Sequence, residues 1–249
     1  MDLYNIVADL HTHTIYSHGK GTVLANVEAA REKGLKKIAI TDHGFKHFAY
    51  GVSIDDIYKM KAEIDGINGM FDDIEILLGV EANLIGLDGT VDLEEECIEL
   101  FDIVLMGFHN GAIPKSPRDA WGLFGRNFVG KVVPSVAEKM RYDNTMAMIR
   151  AMERYPIDII THPGAKIDID SRLLARHAAK HNVALEINSG HGFMTVDYVK
   201  IAMKEDVLFT INSDAHTPER VGDFARGIAI AKEAGLKPSR IINSHEFVE

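Results

Sequence analysis

Seven short and almost unbroken apolar runs recur along this 249-residue chain, at residues 5–10, 36–41, 75–80, 102–107, 157–161, 183–188 and 207–212. Strands with so little polar alternation are covered on both faces, which is the condition of parallel strands joined by crossover helices. Between the runs lie amphipathic stretches of helical period, and several carry start and stop signals. Thr22 precedes the pattern at 23–33 and Gly34 follows it. Ser53 is followed three residues later by Asp56. Thr217-Pro218-Glu219 stands ahead of 221–234, which Gly235 ends. These are helix caps in the expected order, polar or proline at the start and glycine at the end. The helix following the third strand is the weakest. A strand-then-helix unit repeated seven times, with no break in composition, predicts one α/β domain over residues 1–249. Its expected form is a distorted seven-stranded (β/α)7 barrel, TIM-barrel-like, one strand short of the common eightfold closure. A doubly wound open sheet is the alternative. It brings together only the strands beside its switch point.

The positions of the histidines and buried-type carboxylates favour the barrel. His11 and His13 close the first run, with His18 in the loop after it. His43 follows the second run, Glu81 the third, His109 the fourth and His162 the fifth, and Asp214 and His216 follow the seventh. A parallel barrel gathers the C-terminal ends of its strands on one rim. Imidazoles and carboxylates converging there make a multi-metal hydrolytic centre. In an extended chain residues i and i+2 face the same way, so His11 and His13 can grip one ion, with Asp9 on the same face as a supporting partner. Asp42, beside His43, is placed in the same supporting role. A glutamate after an apolar strand is costly to bury without a cation, and a carboxylate can bridge two ions. His177 and His181, four apart on a helix, read as a solvated face. His47 and His245 sit in polar surroundings and suggest nothing. His191 follows the sixth strand on the expected rim, where it is a candidate substrate contact.

Bulk properties narrow the partners. A net charge of −10 argues against a protein that grips a phosphate backbone, so no stable nucleic-acid partner is expected. No apolar stretch is long enough to span a membrane, and the opening residues lack a signal-peptide pattern. The single cysteine, Cys97, excludes an intrachain disulfide and a cysteine-based zinc site. It reads as a small, partly buried helix residue. The expectation is a cytoplasmic enzyme acting on a small molecule, and oligomeric state is left open. One segment breaks the rhythm. Residues 110–142, rich in glycine and proline, hold six basic residues against two acidic ones, a local charge of +4, and the only tryptophan, Trp121. It reads as a long basic loop ahead of a helix that starts near Asp143. Such loops are usually functional or disordered. Arg118 and Arg126 are its candidates for clamping a substrate phosphate.

Taken in order, the strings His11-x-His13, Thr41-Asp42-His43-Gly44, Gly79-x-Glu81-x-Asn83, Gly107-Phe108-His109, His162-Pro163-Gly164 and Ser213-Asp214-x-His216 resemble the PHP (polymerase and histidinol phosphatase) superfamily. The likeness spans nearly the whole chain and is nearest to its small stand-alone phosphatases, the YcdX type. The loop between His13 and His18 is one residue shorter than in that type, and the 110–142 segment is longer. The resemblance implies a distorted seven-stranded barrel and a trinuclear site, usually of zinc and sometimes of manganese or iron. It implies that His11, His13, Glu81 and Asp214 hold one ion, that Glu81 bridges to a second held by His109 and His162, and that His18, His43 and His216 hold a third. The expected activity is hydrolysis of a phosphate monoester by a metal-bridging hydroxide. No general acid stands out, with His191 or a metal-bound water as candidates. The rivals are a phosphodiesterase or exonuclease acting on short nucleic acids, an amidohydrolase-type hydrolase, and a metal-binding module without activity.

Overall fold

The computed structural model describes residues 4–248, so Met1–Leu3 of the opening segment lie outside the described residues. Seven parallel strands run in sequence order around a nearly closed barrel: β1 (Ala8–Thr12), β2 (Lys37–Ile40), β3 (Glu75–Asn83), β4 (Ile103–Gly107), β5 (Ile159–Ile160), β6 (Ala184–Asn188) and β7 (Phe209–Asn212). Each expected run holds one strand, and the order excludes the doubly wound alternative. The principal helices are α1 (Val23–Glu32), α2 (Ile54–Asn68), α3 (Pro117–Asp119), α4 (Arg126–Gly130), α5 (Pro134–Arg154), α6 (Ser171–His181), α7 (Val196–Ala202), α8 (Ala225–Ala234) and α9 (His245–Val248). Among the described residues no helix is long and apolar enough to cross a membrane.

Local chemistry accounts for most element ends. Gly34, at φ +75°, lets α1 finish in a Schellman turn, with Leu35 N–H donating to Ala30 O and Gly34 N–H to Arg31 O. Ser53 and Asp56 close a reciprocal capping box on α2. Gly235, also left-handed, ends α8. The start of α8 differs from expectation. Thr217 makes no cap bond to a backbone N–H, and Pro218–Arg220 forms only one 3₁₀ turn. Gly222 at φ +72° then separates this turn from α8. The weak helix after β3 is a 3₁₀ turn, Glu95–Leu100, and Cys97 on it is fully buried rather than partly so.

The basic segment departs most from expectation. It is a helical insertion: α3, a π-helical turn at Ala120–Gly125, α4 and the first turns of α5. Its prolines and glycines were the apparent breakers, yet Pro117 and Pro134 occupy first turns, where the missing N–H costs nothing. Its glycines mark close packing. A β-carbon on Gly122 would meet Leu87, and one on Gly130 would meet the Met140 methyl. Ser116 caps α3 by accepting from Asp119 N. Trp121 is left largely exposed.

The apolar outer faces of the strands pack against the helices, with Ile38, Leu78, Phe209 and Leu185 fully buried. A second, smaller cluster fills the lower interior: Ala8, Leu10, Ala39, Ile103, Leu105, Ile159 and Ala184. Above it the interior turns polar. Between β1 and β7 the missing eighth strand is replaced in two ways. At the upper end His13 N–H donates to Ala215 O. Lower down the C-terminal segment inserts, and buried Asn243 donates from its amide to Ala8 O and Ile211 O while accepting from Ile211 N.

Candidate metal centre

β1 carries His11, and β3 runs on to Asn83, so Glu81 lies within its strand rather than after it. The other candidates follow the upper ends of β1, β2, β4, β5 and β7, with His13 and His18 after β1. His162 and Asp214 hold left-handed backbone, φ +30° and +54°, a conformation costly for residues with a β-carbon. Two strained non-glycine residues on one rim indicate a geometry imposed by the site.

All nine expected side chains converge. Glu81 stands in the middle and faces two ways. Its Oε2 lies 3.4 Å from His11 Nε2, 3.6 Å from His13 Nε2 and 3.2 Å from His43 Nδ1. Its Oε1 lies 3.3 Å from His109 Nε2 and 3.1 Å from His162 Nε2. Asp214 Oδ1 is 3.3 Å from His13 Nε2, and His216 Nε2 is 2.6 Å from His18 Nε2. His191 Nε2 is 3.4 Å from Asp214 Oδ2 on the cavity side. Gly107 permits this crowding, because a β-carbon there would sit 3.1 Å from Glu81 Oε1 and closer still to Thr161 Oγ1.

The protonation pattern is divided: burial works to lower His11 and His162, but Glu186 and Glu81 outweigh it, raising His11 well above the usual imidazole range and raising His162 as well. Burial pushes His13 well below the usual imidazole range and His109 down to about 4. Burial, with His216 and His43 beside it, takes His18 down to about 3. These rings are neutral donors at neutral pH. Burial works to raise Glu81 and Asp214, but the surrounding histidines outweigh it and hold both carboxyls well below their ordinary values. The donor set fits divalent metal. Donor atoms of one tetrahedral ion stand roughly 3.3 Å apart when its bonds are about 2.0 Å, and most separations here are close to that. The buried Nδ1 atoms of His13, His18 and His43 have no hydrogen-bond partner among the described residues. Imidazole with carboxylate suits zinc, manganese or iron.

The supporting contacts are not those the strand pattern predicts. Asp9 does not touch the histidines of β1. A register irregularity between Asp9 and Thr12 breaks the simple alternation, and Asp9 instead accepts from Ser213 N, Ser213 Oγ and Gly222 N, tying β1 to the end of β7. Asp42 accepts from Thr14 N and Oγ1 and from Ser17 Oγ, and so pins the loop between His13 and His18. The partner of His11 is Glu186, 2.7 Å from its Nδ1. The same carboxylate accepts from His162 N, Asn188 Nδ2 and Asn212 Nδ2. His109 Nδ1 lies 2.7 Å from Asn83 Oδ1, and Asn83 donates from its amide and its N–H to buried Asp92. Sequence reading missed Glu186 although its signal was present: a carboxylate inside an apolar strand, the same sign that picked out Glu81.

The centre opens into a cavity of about 430 Å³. Neither Arg118 nor Arg126 lines it. Arg118 is exposed, and Arg126 Nη2 is paired with Asp143 Oδ2 at 2.8 Å, because α4 packs on α5 and turns that side chain away. Lys166 is the cation on this wall, and Arg220 lines a smaller recess beside His191, Asp214 and His216. His47, expected to be idle, also lines the cavity. The loop after His43 folds back over the rim, held by Phe48 N–H to Gly111 O and Ile113 N–H to Lys46 O, and sets the His47 ring beside those of His43 and Tyr50, nearly parallel to both. His177 and His181 keep to the outer face of α6, with Glu153 of α5 close by. His245 opens α9.

A family model for the PHP domain matches residues 9–204. A probable phosphatase of Shewanella piezotolerans is 32% identical over 253 residues, covering 95% of this chain and 89% of that protein. A probable phosphatase of Proteus mirabilis is 31% identical over 248 residues, with coverage of 95% and 89%. Among solved structures, histidinol phosphate phosphatase from Lactococcus lactis, complexed with zinc, L-histidinol and phosphate, shares the fold. Its TM-score is 0.59 at 15% identity, over 92% of this chain and 93% of that one.

Proposed function

The chain belongs to the PHP domain family, and from that premise we propose that it is a metal-dependent phosphatase that hydrolyses small phosphate monoesters at a trinuclear centre. The observation that carries this reading is the two-sided approach of imidazoles to Glu81, three from its Oε2 side and two from its Oε1 side. A carboxylate so placed is suited to sharing its oxygens between ions. In this reading His11, His13, Glu81 and Asp214 hold one ion, Glu81, His109 and His162 a second, and His18, His43 and His216 a third. Zinc is the first expectation, with manganese or iron as alternatives. Ions held there would supply charge to screen the phosphoryl oxygens and a water of lowered pKa as the nucleophile.

The chain's own groups then have separable tasks. Glu186 holds His11 Nδ1–H and so presents Nε2 to the centre. Asn83, itself fixed by Asp92, does the same for His109. Lys166 and Arg220, at the mouth, attract and orient the phosphate dianion, taking the part first assigned to Arg118 and Arg126. His191, half-exposed beside Asp214, is placed to hand a proton to the departing alkoxide.

The test combines metal quantification of the purified protein with a panel of phosphomonoester, phosphodiester and amide substrates. We expect three divalent ions per chain and selective monoester turnover. Chelation should abolish that turnover, and readded zinc or manganese should restore it. Glu81→Gln should lower it by about a hundredfold or more. Fewer than two ions per chain, with no monoesterase activity after reloading, would overturn the reading.

A further inference from the structure

The main cavity does not end at the metal centre. Asn110 and Lys166 line it and also line an adjoining groove of about 150 Å³ that runs onto the helical insertion. The floor of this groove is aromatic, with the rings of Phe108 and Phe124 5.0 Å apart and Phe128 at the rim. At its outer part stands Lys131, just past the end of α4. Neither Lys131 nor Lys166 makes an ion pair among the described residues. The π-helical turn at Ala120–Gly125 helps form this wall: it buries Leu123, leaves Phe124 half-buried, and carries the chain on toward Phe128 and Lys131. Such turns recur where a helix is bent to serve a site.

A small hydrophilic leaving group would gain nothing from this wall. Burial of a flat or apolar body against Phe108, Phe124 and Phe128 is favourable, and a free ammonium beyond it selects a second negative charge. We propose that the groove is a leaving-group subsite, and that the preferred substrate is a phosphomonoester whose flat or apolar body carries a second anionic group read by Lys131. This rests on the monoesterase reading above and extends it to a substrate class.

Phenyl phosphate and a series of phenyl phosphates bearing a para carboxylate on spacers of increasing length, assayed with the metal-loaded enzyme, separate the two claims. The wild type should favour at least one carboxylate-bearing member over phenyl phosphate by about tenfold in kcat/KM, chiefly through KM. Lys131→Glu should bring that ratio to parity or below, and Lys131→Arg should keep it. Turnover of phenyl phosphate with equal kcat/KM across the series, or a preference that survives Lys131→Glu, overturns the subsite while leaving the monoesterase reading intact. No turnover on any member overturns both.

Discussion

Glu186 shows how much one buried side chain can organise. It touches an imidazole, a backbone N–H of a strained residue and two amides, and it is fully buried inside β6. Burial alone would raise its carboxyl, but His11, joined by His162, more than offsets this and lowers it. Its charge is therefore held in place by the histidines it orients. Glu186→Gln keeps the shape but removes the charge that fixes the His11 tautomer. We expect the fold to persist, with metal affinity lower by about ten- to a hundredfold. Competition against a chelator of known affinity, followed by circular dichroism, checks this. Unchanged affinity would reduce Glu186 to a packing role.

At the scale of elements, the connections outside the barrel are tied by charge as well as by packing. Glu205, in the link from α7 to β7, meets Arg172 and Arg176 of α6, with Arg172 Nε 2.7 Å from its Oε1. Hydrogen bonds from Arg176 and Arg172 hold its carboxyl down at about 2. A carboxyl depressed in the folded state adds stability above its ordinary value of 4.5 and loses it as pH falls toward about 2. Glu205→Gln should therefore lower Tm modestly at neutral pH and converge with the parent as pH falls through that window. Thermal melts at intervals from pH 7 to roughly pH 2 would show it, and parallel curves would refute it. The same scale explains the misread insertion. Prolines at helix starts and glycines under close contacts look like loop punctuation until their neighbours are known.

For the molecule as a whole, the notable problem is closing a barrel with seven strands. The residual gap between β1 and β7 is bridged low down by Asn243, whose side chain serves two carbonyls and one N–H that an eighth strand would otherwise satisfy. Asn243 is 2% exposed, so its removal would orphan buried backbone groups. We expect Asn243→Ala to cost about 2–4 kcal/mol, measured by urea unfolding. A loss below about 1 kcal/mol would mean that water or backbone movement can take over these groups.

Strand number, strand order and the set of nine candidate ligands were legible in the chain because they depend on local signals. Apolar runs mark buried parallel strands, and each ligand motif sits within its strand or a few residues past its upper end. Capping of α1 and α2 was legible for the same reason. The start of α8 was not, because Thr217 and Pro218 serve a separate turn. Partnership was also beyond the sequence. Whether Asp9 supports a histidine or a neighbouring strand depends on a register irregularity. Whether Arg126 faces substrate or Asp143 depends on how α4 packs on α5. His47 became a cavity wall because a loop two strands away offered Gly111 O as an anchor for Phe48. Residue chemistry and spacing determined what could gather on the rim. Only long-range packing decided which groups touch there, because those contacts join segments the sequence holds far apart.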